Sequence, residues 1–179
     1  MEKYISKKEK ASYGFAAVGS YMVAGITQSY LMYFFTDILI IPSAFVMMLM
    51  IVARVWDALN DPMMGVIVDR TSTKYGKMRP YVLIGSFLML VTTIVLFMPL
   101  TGAPTMFKMI FAAVSYIIFG MAYTLTDVPA MGLMSVATPN SDERASLLSF
   151  YVTVGSVGSL LPVGLLTIFQ SFIPEKYVY

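Results

Sequence analysis

Apolar residues dominate five long stretches of the chain, and each stretch is cut off from the next by a short polar or turn-forming cluster. The stretches run over about 11–36, 43–68, 81–100, 106–136 and 147–173. An α-helix needs roughly 20 mostly apolar residues to cross a bilayer core, and each stretch meets that length. The pattern predicts an all-α, polytopic membrane helix bundle of five transmembrane helices, I to V, forming one domain over residues 1–179. The connections are Asp37 with Pro42, Asp69 to Pro80, Thr101-Gly102-Ala103-Pro104, and Pro139 to Glu143. All four carry breaker or turn residues. In the last, Asn140 and Glu143 have the spacing of a capping box that opens helix V.

Composition sharpens this picture. Of 179 residues, 58% are hydrophobic and 12% charged, about half the charged share of a soluble domain. That excludes a water-soluble globule. With no cysteine and no histidine, disulfide scaffolds, thiolate metal sites, Cys or Ser–His nucleophiles and imidazole acid–base chemistry are excluded too. No enzyme activity and no cofactor are expected. The net charge of +2 gives no reason to expect a nucleic-acid partner; the distribution of the cations is what informs. Lys3, Lys7, Lys8 and Lys10 precede helix I, Arg70, Lys74, Lys77 and Arg79 lie between II and III, and Arg144 begins V. Only Lys108 and Lys176 fall on the other side, and Arg54 lies within a span. By the positive-inside rule the N-terminus is cytoplasmic and Pro174 to Tyr179 emerge outside. Helix I is too long for a signal-peptide core and lacks an evident cleavage site. An odd helix count leaves no partner to return the chain to the cytoplasm, so the chain reads as a fragment or incomplete product.

Ionisable groups inside spans cost about 2.5–3.5 kcal/mol on insertion scales and so face cavities or partners. Helix II holds Arg54, Asp57, Asn60 and Asp61, followed by Pro62; helix IV holds Tyr123, Thr124 and Asp127, followed by Pro129. Offsets of three and four residues put Asp57, Asn60 and Asp61 on one helical face. Two carboxylates on adjacent turns repel, which calls for a proton or a cation between them. Hard cations take oxygen ligands. Pro62 frees the carbonyl of Ala58 and Pro129 that of Leu125, and broken backbone lining a cavity is typical of transporter sites. The competing structural reading is a buried ion pair of Arg54 with Asp57 or Asp61. An intramembrane aspartyl protease would pair Asp57 with Asp127, but no Gly-x-Gly-Asp surrounds Asp127.

The string from Val52 to Gly65, then Asp69-Arg70 and Lys74 to Pro80, resembles the glycoside-pentoside-hexuronide:cation symporters of the major facilitator superfamily. Ser12 to Phe15, Tyr30 to Asp37, Tyr123-Thr124 and Asp127-Val128-Pro129 add matches in order along the chain. The resemblance implies twelve helices in two halves, of which this chain is most of the N-terminal half without its sixth helix. It implies an alkali-cation or proton site at Asp57, Asn60, Asp61 and Thr124, and a sugar site that includes Asp127. Tyr123 and Tyr21 are candidate sugar contacts. In melibiose-type members an acidic residue stands where Tyr21 is here, an arginine at Val152 and a tryptophan at Met131, so the sugar is left open. Gly65 to Pro80 resembles the superfamily's cytoplasmic loop. There Gly65 would allow close helix approach, and Asp69 with Arg70, Lys77 and Arg79 would latch the cytoplasmic side; Arg54 is read as structural or gating.

The expected function is secondary active transport: sodium- or proton-coupled symport of a sugar or glycoside across a bacterial inner membrane. The alternative is an inactive, truncated half-transporter lacking its C-terminal half. Expected partners are a small sugar or glycoside, a monovalent cation and the lipid bilayer.

Overall fold

A computed structural model describes residues 4–172, and all regular structure among them is helical. Five α-helices follow one another: α1 Lys7–Tyr33, α2 Ser43–Arg70, α3 Arg79–Leu96, α4 Thr105–Ser135 and α5 Ser141–Phe172. A π-helical turn, Phe34–Ile38, prolongs α1. The last residue of predicted helix V and the segment Pro174 to Tyr179 lie outside the described residues, as do Lys3 and Lys176.

The ends have local causes. Ser6 and Glu9 form a reciprocal capping box that starts α1: the Ser6 amide donates to Glu9 Oε2 at 2.8 Å and the Glu9 amide to Ser6 Oγ at 3.2 Å, satisfying two otherwise orphaned donors. Hydrogen bonding from Ser6 holds the Glu9 carboxyl below its ordinary pKa. Helix α3 stops at Leu96, four residues short of the expected end, because Pro99 disfavours helical backbone at Met98. At α5, Asn140 caps as expected, its Oδ1 accepting from the amides of Asp142 at 2.9 Å and Glu143 at 3.4 Å. Glu143 does not complete the box. Its carboxylate instead accepts from the Thr138 hydroxyl at 2.8 Å and from the amides of Tyr4 and Ile5 at 3.3 and 3.0 Å.

Helices α2, α3, α4 and residues 141–165 of α5 are long and apolar enough to cross a membrane. At 27 residues, about 40 Å by helical rise, α1 is long enough, but Ser20, Thr27, Gln28 and Ser29 dilute its apolar character. Met48, Ile51, Val55 and Leu59 of α2 and Leu83, Phe87 and Ile94 of α3 are more than half exposed. In water such a surface would be a liability; in lipid it is the expected exterior.

The chain divides into two compact units, one of residues up to Tyr30 with those from Ala137, the other of Leu31–Val136. In the first, α1 and α5 run parallel, since their contacts climb together: Gly14 against Phe150, Gly155 against Tyr21, Gly25 against the backbone of Ser159. Small residues allow this backbone approach where no hydrophobic force drives helices together. In the second, α4 packs on both α3 and α2. Ala112, Ser115, Phe119, Ala122 and Thr126 form its buried stripe, at the three- and four-residue spacing of a single helical face. Gly85 lets α3 lie against α4, since a Cβ there would sit 2.9 Å from backbone atoms of Leu125 and Thr126.

Candidate functional site

Within the second unit, α2 and α4 run parallel and bring their polar residues into register. A Cβ placed on Gly120 would lie 3.1 Å from Asp57 Oδ1, and one turn further the Thr124 hydroxyl donates to Asp61 Oδ1 at 2.9 Å. Both pairs are four residues apart on both helices, so the contact repeats over one turn. Three of the four expected cation ligands, Asp57, Asp61 and Thr124, are thereby assembled at one helix pair. The fourth, Asn60, shares the face of Asp57 by spacing and is half-buried.

Arg54 does not close the site. Its guanidinium stands 3.9 Å from Asp57 Oδ2, and the two side chains are 72% and 33% exposed. That is a loose pair of the kind worth at most about 1 kcal/mol, not the buried ion pair of the competing structural reading. The helices also differ from expectation at their prolines: α2 runs unbroken through Pro62 and α4 through Pro129. Each proline removes one amide donor, so the carbonyls of Ala58 and Leu125 lose that partner without a break in the helix.

Asp127 lies one turn beyond Thr124 on α4. Its Oδ1 is buried and, among the described residues, has no hydrogen-bond partner. An acceptor in that condition costs about 1–3 kcal/mol unless a ligand satisfies it. Tyr123 stacks at a tilt on Phe119, with ring centroids 6.4 Å apart. Tyr21 belongs to the first unit, where its ring covers Gly155 and meets Tyr151 edge-on at 6.0 Å.

The residues expected to form a latch lie at the end of α2, in the α2–α3 loop and at the start of α3. At Gly65, expected to permit close approach, a Cβ would meet nothing within 4 Å among the described residues. Lys77 Nζ donates to the main-chain carbonyl of Asp69 at 3.2 Å, not to its carboxylate. Arg70 and Arg79 are exposed.

Three contributors were missed in the sequence. Gly120 gives Asp57 its space. Tyr116, one turn earlier, lies near enough to Arg54 and Asp57 to feel both charges. Lys108, read only as an outside charge, is buried, and its Nζ donates to the Leu39 carbonyl at 3.1 Å. The one available signal was the four-residue spacing of Tyr116, Gly120 and Thr124.

A family described as MFS/sugar transport protein matches residues 12–176, and the chain belongs to it. Similar relatives include the uncharacterized symporter YjmB of Bacillus subtilis, 37% identical over 161 residues covering 89% of this chain and 35% of that protein. The inner membrane symporter YicJ of Escherichia coli is 34% identical over 88% of this chain and 34% of its own length. The isoprimeverose transporter of Lactiplantibacillus pentosus is 30% identical over 86% and 32%. The likeness to glycoside–cation symporters drawn from helix II is thus borne out, and the chain spans about a third of the length of these relatives.

Proposed function

We propose that these helices form the cation-binding part, and one wall of the sugar cavity, of a cation-coupled sugar symporter. One observation carries the reading: two carboxylates of α2, Asp57 and Asp61, meet α4 in register at Gly120 and Thr124, with the Thr124 hydroxyl bonded to Asp61. A sodium ion or proton held by Asp57, Asn60, Asp61 and Thr124 neutralises the repulsion on α2 and fixes α2 against α4. That positions Asp127, whose open acceptor takes a hydrogen bond from a sugar hydroxyl, with Tyr123 beside it. No step makes or breaks a covalent bond, so this is transport and not catalysis. By linkage, sugar tightens cation binding by the same factor that cation tightens sugar. The relatives are about three times as long, so the remainder of the cavity is assigned to other residues of a carrier of that length.

The same reading places the helices in a bacterial inner membrane with the N-terminus cytoplasmic, supported by the cations of the II–III loop. The test is uptake of a panel of glycosides, pentosides and uronides under imposed sodium or proton gradients, both by this chain and by a relative-length carrier containing it. D57C is expected to abolish cation stimulation and D127C to abolish sugar recognition. Both variants behaving as wild type would overturn the assignments. Uptake by the long carrier alone would assign this chain the cation step without autonomous transport.

A further inference from the structure

The loop between α2 and α3 borders an open pocket of about 680 Å³ that holds none of the cation or sugar residues of the transport reading. This lies within the roughly 300–1,000 Å³ range of small-molecule sites. Asp69, Tyr75, Lys77 and Arg79 form its polar wall, and Leu133 and Val136 at the end of α4 form its apolar one. Two cations against one carboxylate leave the lining positive, and Arg70 and Lys74 stand close by in sequence. None of these four cations forms an ion pair among the described residues. Arg79 is moreover the first residue of α3, where a cation meets the positive end of the helix dipole. An anion seated there relieves both conditions.

The wall is built rather than fluid. The Thr73 hydroxyl donates to the Gly76 carbonyl, and the Tyr75 amide donates to Thr73 Oγ1 at 3.3 Å. Gly76 takes φ +93°, a turn that L side chains resist. The hydroxyls of Thr71 and Tyr81 bond at 2.6 Å and tie the two ends of the loop together. Val136, 70% exposed, gives the pocket an oily flank that a free inorganic ion would leave uncovered.

We propose that this pocket binds the phosphate-bearing headgroup of an anionic phospholipid, with Lys77 and Arg79 holding the phosphate, Tyr75 donating to it and Leu133 and Val136 covering the start of the acyl chains. Basic pockets among membrane helices take anionic headgroups by this combination of charge and apolar cover. The site rests on the chain lying in a bilayer, but on neither the sugar nor the coupling ion, so it stands or falls apart from the transport reading.

The test uses the purified chain in detergent, with retained lipid counted by native mass spectrometry and thermal stability followed alongside. Phosphatidylglycerol is expected to be retained over phosphatidylcholine, and K77Q or R79Q to lower its affinity by roughly fivefold each. The variant K7Q with K8Q, which removes twice the charge of either loop variant from the N-terminal segment, is expected to keep wild-type retention, and R79K to recover most of the loss. Equal retention of the two lipids, or equal losses in the K7Q/K8Q control and the loop variants, would overturn the site. Displacement of phosphatidylglycerol by millimolar inorganic phosphate would overturn the lipid as the source of the anion.

Discussion

Gly120 is where the candidate site is most sensitive to one atom. Asp57 keeps its place because nothing projects from α4 opposite it, and a methyl group there would stand 3.1 Å from Oδ1. Contact that tight requires the carboxylate to give way by a few tenths of an ångström. G120A is therefore expected to weaken alkali-cation affinity by roughly tenfold, about 1.4 kcal/mol, with lithium less affected than sodium or potassium because it tolerates a smaller cage. Thermal stability titrated with the three chlorides reads this out, and the fluorescence of Trp56, the chain's single tryptophan beside Asp57, gives a second probe. Unchanged affinities would mean that Asp57 is not a ligand. The carboxylates themselves were legible in the sequence because charge inside an apolar run stands out at once. Gly120 was not, because a glycine matters only through what faces it, and that depends on the register of two helices.

At the scale of elements, the end of α1 depends on a residue nearly seventy positions away. The π turn closes through the Leu39 amide to the Phe34 carbonyl at 3.0 Å, and no basic residue of its own lies in its last turn. Ile40 follows at φ +57°, a strained value for a β-branched residue. Lys108 supplies the missing cation from α4, its Nζ capping the buried Leu39 carbonyl. The lysine itself sits in the first turn of α4, against that helix's dipole, so the cap offsets a cost borne elsewhere. K108M is expected to leave the Leu39 carbonyl unsatisfied, at about 1–3 kcal/mol, and to lower the thermal midpoint, whereas K108R, which can still donate, retains most of it. Hydropathy located all five helices and missed this link, since a lysine at the very edge of a span looks like any solvated charge. The same limit explains Glu143. Its spacing from Asn140 fits a capping box, but a better set of donors came from Tyr4, Ile5 and Thr138.

At the scale of the whole molecule, the orientation proposed above rests on where cations are cheap. Nine of the twelve basic residues fall at the N-terminus, in the II–III loop or at the start of α5, and such residues are retained on the cytoplasmic side during insertion. The absence of cysteine makes the test clean, since any thiol introduced is the only one present. Y75C lies in the II–III loop and G102C in the III–IV turn, and both positions are exposed. In right-side-out vesicles a membrane-impermeant maleimide is expected to label G102C at once and Y75C only after permeabilisation; inverted vesicles should give the opposite result. Replacing Arg70, Lys74, Lys77 and Arg79 together by glutamine is then expected to produce a mixed population, because the loop's retention signal is gone while the cations at the N-terminus and Arg144 remain. If the quadruple variant kept a single orientation, the N-terminal lysines would be sufficient, and the loop cations would be left with the anion pocket as their physical reason for clustering.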